Sequence, residues 1–542
     1  MVDIGLVMKH TVQTPFQPTE RALQEGLINE ELDTKLAQDP TKYPRAIFFI
    51  IPNEMGERFC YYGIRNLLNQ YMKSAFGMEE HMAKAQLHMF NMLVYLFPLV
   101  GAAVSDSFLG KYHTIVCFSA VHMVGNALLS LFSINGLLGP YGHYPFWGYL
   151  LPALLIAIGA GGIKPCVSAH GGDQFLPSQA PLVDKYFSLF YLSINVGALV
   201  AQYLTPFLKD NVECFGRECF LVAFGVPGIV FAFAVCLFIA GHRYYRTVPA
   251  QGEFLPWKAA KLTGLAFRRW LRASKRQRTK VGHWLGFAEE EYGPELVEET
   301  RLLGKVIVMF IPISFFWMLY DQSTTEWQNQ YEKMDKMFLW LIPIPTEASS
   351  MINSVLILML VPLLVYYVYP FLERRGIRMP VMTRMVWGFF FLVLAFVVST
   401  GLNYYVDQYT ERIVYKDKVV VSCEGCLNGT WQLPQWFLLS LGEAMLSPTS
   451  DQFSYTQVGR QMKASSSSLL LLTLSLGNNF VLMLEFPLQR IDSYIDRQWV
   501  YVSIATLGFL IFVILANFWY ISREDEIKST TYRCDNNCSN KP

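Results

Sequence analysis

Long apolar blocks dominate this sequence and limit what the chain can fold into. From about residue 45, stretches of roughly 20 residues with few charges alternate with polar connections, and a helix of that length crosses a hydrocarbon core about 30 Å thick. Only 16% of the residues are charged, against about 25% in a typical soluble domain. The blocks lack the two-residue alternation of a barrel strand, and in lipid only helices and closed barrels satisfy their own backbone. The sequence therefore predicts an all-α polytopic membrane protein.

The apolar blocks predict twelve spans, six in each half of the chain. Their approximate limits are 45–70, 87–106, 113–133, 147–169, 187–208, 220–241, 304–325, 351–370, 381–402, 434–456, 466–487 and 498–520. This spacing predicts two six-helix bundles. The predicted parts are an N-terminal tail (1–43), a first bundle (44–245), a basic linker (246–300), a second bundle (301–523) and a C-terminal tail (524–542).

Lys and Arg are distributed unevenly among the connections. The loop 134–146 contains none, whereas 242–280 is strongly basic with Glu253 as its only acid. Because basic connections remain on the cytoplasmic side, the linker and both termini are expected there. We expect the linker to be an amphipathic segment on the inner leaflet, and not a nucleic-acid-binding element.

Two pairs of cysteines fall in loops on the opposite side. Cys214 and Cys219 share the loop after span five, and Cys423 and Cys426 share the loop after span nine. A local disulfide is expected in each loop, because the external side is oxidising. The sequon NGT in the second loop predicts glycosylation of Asn428. One CxxC pair supplies too few ligands for zinc, so no metal site is expected.

Three ionisable residues lie inside the first span, in the stretch PNEMGERFCYYG. Glu54, Glu57 and Arg58 are spaced i, i+3 and i+4, so they share one helix face. Each charge would cost about 2.5–3.5 kcal/mol if it faced lipid near the span centre. We therefore expect this face to turn toward a polar cavity between the bundles. The alternative is an ion pair at the helix end that reaches the membrane interface.

Other spans carry single ionisable residues. Lys164 lies in LLIAIGAGGIKPCVSA, Asp321 follows FFWMLY, and Glu443 lies in WFLLSLGEAML. Lys164 needs an acidic partner or a substrate carboxylate, and a purely structural ion pair is the alternative. Charges on both halves predict a transporter site near the bilayer midplane. No nucleophile–base pair or phosphate loop is recognisable, and twelve spans do not suit a seven-helix receptor, so an enzyme or a receptor is not expected.

Four motifs follow one another along the chain. They are EMGERFCYYG, GAAVSDSFLGK (101–111), GAGGIKPCVSAHGGDQF and FSLFYLSINVGAL (187–199). Together they resemble the signatures of the proton-dependent oligopeptide transporter family, within the major facilitator superfamily, and the resemblance extends from about 44 to 520. It implies a twelve-helix alternating-access symporter, driven by protons, for di- and tripeptides and peptide-like compounds.

The resemblance also implies roles for individual residues. The implied proton-coupling residues are Glu54, Glu57, His88 and Asp321. The implied substrate-binding residues are Arg58, Tyr62, Lys164, Tyr191, Asn195, Trp317, Asn353 and Glu443. Lys164 is implied to bind the peptide carboxylate or to pair with Asp321 in an external gate. Glu443 is implied to bind the amino terminus of the peptide.

The remaining implications concern partners, location and departures from the family pattern. We expect no cofactor other than protons as the coupling ion, and a functional monomer in the plasma membrane, with an endolysosomal membrane as the alternative. The alternative cargo for the same fold is free histidine, nitrate or another metabolite. The short loop between spans nine and ten, Val365 in place of an acid, and the absence of tryptophan from SSSSLLLLTLSLGN all depart from the pattern. The last change predicts a reshaped pocket.

Overall fold

Thirteen long helices make up most of the computed structural model. It describes residues 42–134, 145–176, 179–214, 217–247, 250, 255–281, 283–339, 341–409, 411–415, 418–422, 427–458, 463–491 and 493–520. The long helices are α1 (Ile47–Phe76), α2 (Glu80–Leu96), α3 (Gly110–Phe132), α4 (Pro145–Gly172), α5 (Ala180–Asn211), α6 (Phe220–Ala240), α7 (Leu255–Arg272), α8 (Pro294–Tyr320), α9 (Met351–Leu363), α10 (Val381–Tyr409), α11 (Leu433–Thr456), α12 (Lys463–Leu488) and α13 (Tyr494–Ile514). All except α7 coincide with predicted spans.

Shorter elements extend or connect these helices. The extensions are Pro98–Val104 and the π-helical turn Ser105–Leu109 after α2, Leu364–Val368 and Tyr369–Arg374 after α9, and Leu515–Trp519 after α13. The connecting helices and 3-10 turns are Gly241–Tyr244, Lys275–Val281, Trp284–Ala288, Glu289–Tyr292, Asp321–Thr324, Glu326–Glu332, Thr346–Ser350 and Gly429–Gln432. Three antiparallel hairpins pair β1 (Glu213–Cys214) with β2 (Arg217–Glu218), β3 (Met337–Phe338) with β4 (Ile342–Pro343), and β5 (Glu411–Tyr415) with β6 (Lys418–Ser422).

The helix limits differ from the predicted spans where polar residues extend a helix. Helix α2 begins at Glu80 instead of 87, and α8 covers Pro294–Tyr320 instead of 304–325. By length and composition alone, eight helical stretches in the described residues can cross a membrane, and one of them, Glu80–Phe132, contains both α2 and α3. Helices α1 and α11 fall outside this set, and they carry charged residues such as Glu54 and Glu443.

Two clusters of buried apolar side chains form the cores of the two halves. One cluster contains residues between 46 and 245, and the other contains residues between 259 and 512. Helix α7 belongs to the second cluster through Ala259, Leu262 and Ala266. The linker helix therefore packs on the second half, while Trp257 and Leu271 on its other side are exposed.

The two ends of the bundles differ in what they connect. We call the end where α6 meets the linker the linker face, and the opposite end the distal face. Helix α1 begins at the linker face, where the rings of Phe49 and Tyr244 stack with centroids 5.5 Å apart. Because successive helices reverse direction, α1, α5, α8 and α12 end at the distal face, whereas α2 and α9 begin there.

The helix that carries Lys164 approaches its neighbour very closely. A Cβ atom on Gly101, in the extension of α2, would lie 2.3 Å from the carbonyl oxygen of Gly162 in α4. Only glycine allows this backbone contact, which matches the use of small residues where membrane helices pack. The contact fixes the position of α4 next to Tyr95 of α2, and thereby the surroundings of Lys164.

The loop features of the distal face agree only in part with the predictions. Cys214 and Cys219 form a disulfide, as predicted. Cys423 and Cys426 lie outside the described residues. Asn428 is 6% exposed, and its Nδ2 donates to Oδ2 of Asp335 at 3.0 Å and to the Met337 carbonyl oxygen at 2.5 Å. The folded structure thus argues against glycosylation of Asn428, because the acceptor nitrogen is buried and both of its hydrogens are used.

We expect Asn428→Gln to leave the electrophoretic mobility of the expressed protein unchanged and to lower its melting temperature. The longer side chain cannot keep the contact of Oδ1 with the Thr430 backbone nitrogen, a cap worth about 1 kcal/mol. Gel mobility with and without removal of N-glycans, together with thermal unfolding in detergent, tests both points. A mobility shift abolished by the substitution would show that Asn428 carries a glycan.

Candidate functional site

The charged residues of α1 lie inside the first half of the molecule. We call Glu54, Glu57 and Arg58 the α1 cluster. Nε of Arg58 lies 2.7 Å from Oε1 of Glu54 and 2.9 Å from Oε2 of Glu57, and all three residues are buried. Both contacts use Nε, so no partner among the described residues occupies the two terminal nitrogens of the guanidinium. The cluster is therefore not an ion pair at an exposed helix end, and it keeps donors available for a ligand.

Lys164, in the middle of α4, contacts aromatic rings instead of a carboxylate. Its Nζ lies 4.5 Å from the ring centroid of Tyr61 and 5.1 Å from that of Tyr95, within the range of cation–π contacts. The side chain is half-buried and also interacts electrostatically with the α1 cluster. In this structure Lys164 forms no ion pair with any described residue, so the expectation that it pairs with Asp321 is wrong here.

Asp321, immediately after α8, pairs instead with Arg65 of α1. Nη2 of Arg65 lies 2.5 Å from Oδ1 of Asp321, and Nδ2 of Asn478 in α12 donates to Oδ2. Oδ1 of Asn478 lies 2.8 Å from Nδ1 of His88 in α2. These four side chains form one buried chain of contacts that crosses between the halves twice. Arg65 takes the place of Lys164 because it lies two helical turns beyond Arg58, toward the distal face, level with the end of α8.

Arg65 and Asn478 were missing from the residues expected at the site. Arg65 stands seven positions after Arg58, a spacing that returns to nearly the same helix face. That spacing was a usable signal for a second buried cation. For Asn478 the signal is weaker, because a single asparagine in an apolar span can have several structural or functional roles.

Glu443 of α11 sits in a small polar group of the second half. Its Oε2 accepts hydrogen bonds from Oη of Tyr320 at 2.8 Å and from Nδ2 of Asn353 at 2.9 Å. Oγ of Ser440 donates to Oδ1 of Asn353 at 2.6 Å. Trp317 packs edge-on against Tyr320, with ring centroids 5.3 Å apart. The structure thus brings together three of the expected residues on one wall.

Tyr62, Tyr191 and Asn195 lie on the facing wall, in the first half. All three are half-buried, and Nδ2 of Asn195 donates to the Tyr191 carbonyl oxygen at 2.8 Å. Tyr191 packs against a cluster of apolar residues from α9 and α11, across the boundary between the halves. Glu443 is close enough to Tyr62 and to Tyr191 to interact electrostatically with both.

The arrangement places cationic donors on one wall and a carboxylate acceptor on the other, while Glu54 and Glu57 balance charge within the first wall. The first half contributes the cations Arg58 and Lys164, neither of which has its full donor capacity used by the described residues. The second half contributes the carboxylate of Glu443 with its oriented donors. A small molecule with a carboxylate at one end and an ammonium at the other would match both walls by charge-assisted hydrogen bonds.

Comparison with known proteins assigns this chain to a family. A family model described as "PTR2: POT family" matches residues 112–488. "Peptide transporter family 1" of Drosophila melanogaster is 40% identical over 391 residues, which cover 71% of this chain and 50% of the relative. "Solute carrier family 15 member 1" of Mus musculus is 37% identical over 376 residues, which cover 68% of this chain and 53% of the relative. The chain spans about half the length of the curated relatives it matches.

Comparison with solved structures shows that this chain shares their fold. The POT family transporter PepTSo is 26% identical and superposes with a TM-score of 0.71, covering 88% of this chain and 98% of that one. An auto-inhibited POT family peptide transporter gives the same identity and TM-score, and it covers 89% of this chain and 98% of that one. The helices therefore form a major-facilitator-type fold, and the chain is an integral, multi-pass membrane protein. It belongs to the POT family of transporters.

Proposed function

We propose that this chain is a proton-coupled symporter that imports di- and tripeptides, and peptide-like compounds, by alternating access. The observation that carries the proposal is the placement of two cationic donors, Arg58 and Lys164, on one wall and of the carboxylate of Glu443 on the other. The Drosophila melanogaster relative is named as a peptide transporter, and this supports the same cargo.

A peptide zwitterion suits this site because its two charged ends can contact different halves. Its carboxylate fits the terminal nitrogens of Arg58 and the ammonium of Lys164, which lies over the rings of Tyr61 and Tyr95 and forms no ion pair with the described residues. Its amino terminus fits the carboxylate of Glu443. A ligand that contacts both walls binds best when the halves approach each other, and this differential affinity lets it shift the conformational equilibrium. Recognition through the termini tolerates many side chains.

Contacts at the distal face hold the two halves together in this structure. Besides the pair between Arg65 and Asp321, Nζ of Lys209 in α5 lies 2.7 Å from Oε1 of Glu347. Nε2 of Gln328 donates to Oδ1 of Asn66 at 3.1 Å. We infer that this is a distal-closed conformation. If the linker face is cytoplasmic, as the basic linker predicts, the closed gate faces the exterior.

Proton coupling requires a titratable group whose partners change with conformation. Asp321 fits this requirement, because its partner Arg65 belongs to the other half and would be lost when the distal face opens. Protonation of Asp321 removes the charge that holds Arg65, so acid favours opening. His88 lies in the same chain of contacts through Asn478, whereas Glu54 and Glu57 belong to the α1 cluster around Arg58.

We place the protein in the plasma membrane as a functional monomer, with an endolysosomal membrane as the alternative. In either membrane an acidic compartment at the distal face would supply the driving force. That force is about 1.4 kcal/mol per pH unit, plus about 2.3 kcal/mol per 100 mV for each charge that crosses.

In reconstituted vesicles, we expect Glu57→Gln to abolish the acid stimulation of labelled dipeptide uptake, because glutamine cannot bind or release the coupled proton. Counterflow exchange should survive, since exchange needs no net proton movement. Glu290→Gln, at an exposed linker acid, should retain both activities. Equal loss of both activities in Glu57→Gln contradicts this role.

Acid-driven uptake of free histidine, nitrate or another metabolite, without dipeptide uptake, would favour the alternative cargo.

We expect Glu443→Gln to raise the KM for dipeptides with a free amino terminus by about tenfold to hundredfold. The loss corresponds to a charged hydrogen bond worth about 1.5–3 kcal/mol. An N-acetylated dipeptide has no ammonium, so it should compete about equally well in the unaltered chain and the variant. Competition assays measure both affinities, with Glu332→Gln, a half-exposed acid of the distal face, as the matched control. An unchanged KM would remove Glu443 from the amino-terminal subsite.

A further inference from the structure

A second buried group of charges joins the two halves near the distal face. Nζ of Lys84, in α2, lies 2.5 Å from Oε1 of Glu326 and 2.8 Å from Oε2 of Glu485. Glu326 begins the short helix after α8, and Glu485 lies in the last turn of α12. All three residues are at most 5% exposed. We call them the Lys84 cluster.

Side chains of α13 complete the surroundings of the two carboxylates. Tyr494 donates to Oε2 of Glu326, and Nε2 of Gln498 lies 3.4 Å from the same oxygen. Oη of Tyr501 donates to Oε2 of Glu485 at 3.2 Å. Both oxygens of Glu326 are therefore occupied by donors. Oε1 of Glu485 accepts no hydrogen bond from the described residues, so one acceptor atom of the cluster is not occupied by them.

The Lys84 cluster has one cation for two acids. Other ionisable groups interact electrostatically with this cluster or with Tyr494. They belong to α2, α10, α13 and the segment after α8, and they are Glu80, His88, Asp407, Lys333 and Arg497. With both glutamates ionised, the three residues carry a net negative charge. A buried charge without a partner is costly, so the position of Lys84 decides whether both acids remain ionised.

The two halves share this cluster unequally. Lys84 belongs to the first half, whereas both glutamates and their donors on α13 belong to the second. Opening of the distal face removes the ammonium and leaves the two carboxylates together. Like charges at such close range favour retention of one proton by the pair, and the returning ammonium favours its release. The pair therefore binds a proton more tightly when the distal face is open.

We propose that Glu326 and Glu485 form a second proton-binding site, which captures a proton when Lys84 withdraws. The proton passes from water at the distal face to a carboxylate oxygen of Glu485, and it returns to water when the ammonium comes back. By linkage, acid at the distal face then favours the distal-open conformation. This inference rests on the alternation between two conformations proposed above, but it does not depend on the identity of the cargo.

A conformational measurement tests the site without reference to transport. Spin labels at Asn211 and Gln408, exposed distal ends of α5 and α10, report the separation of the halves in the full chain in lipid, with the free cysteines replaced. The logarithm of the ratio of open to closed populations is followed against pH. Its slope equals the number of protons taken up on opening, so one proton corresponds to about a tenfold change per pH unit.

We expect Glu485→Gln to lower this slope by up to one proton, while Glu485→Asp and Lys84→Arg retain it. Lys84→Met should also lower the slope, because the acids then lack their cation in both conformations. Glu79→Gln, at an exposed acid near the same end of α2, should match the unaltered chain. An unchanged slope in Glu485→Gln overturns the inference and leaves the proposed function intact. Distances that never respond to pH also overturn it, even where dipeptide uptake is measured.

Discussion

Opposite charges on the two halves, held out of water, are the interaction on which the rest of this structure depends. The ion pairs between Arg65 and Asp321, between Lys209 and Glu347, and within the Lys84 cluster all place the cation on the first half and the anion on the second. The ligand site repeats this polarity. A buried ion pair contributes little to stability compared with an apolar contact, but removal of one partner is strongly destabilising. Such pairs are therefore suited to a contact that must break and re-form in a fixed register.

Lys164 forms no ion pair with the described residues, and these pairs between the halves help to explain why. Lys164 stands over Tyr61 and Tyr95, whose ring faces attract an ammonium without neutralising it. A carboxylate partner would have to be displaced before a ligand could bind, whereas ring faces remain in place beside a bound carboxylate. In the proposed mechanism, Lys164 thus remains available for a ligand while the pair between Arg65 and Asp321 closes the distal face. The resemblance implied both ligand binding and pairing with Asp321 for Lys164, whereas in the structure Arg65 makes the contact with Asp321.

The sequence predicted the helices and the α1 cluster, because both depend on local patterns of hydrophobicity and helical spacing. It failed where contacts join residues far apart in the chain, as with Asp321 and Arg65, since neither periodicity nor composition encodes which of two cations is nearer.

Lys84 and Glu326 were missed for another reason. They lie just outside the predicted spans 87–106 and 304–325, in polar segments that were assigned to loops. Their partners across the boundary accommodate the charges of Lys84 in α2 and of Glu326 in the short helix Glu326–Glu332. Nothing in the sequence indicated that Asn428 would be buried by Asp335 and Met337.

The side-by-side placement of the two halves has a consequence for electrical behaviour. When the distal face opens, the cations of the first half and the anions of the second separate sideways, within the plane of the bilayer. A transmembrane voltage does work only on charge that moves along the membrane normal. In the proposed transport cycle, rearrangement of the protein itself is therefore nearly electrically silent, and the proton and the cargo would carry the current.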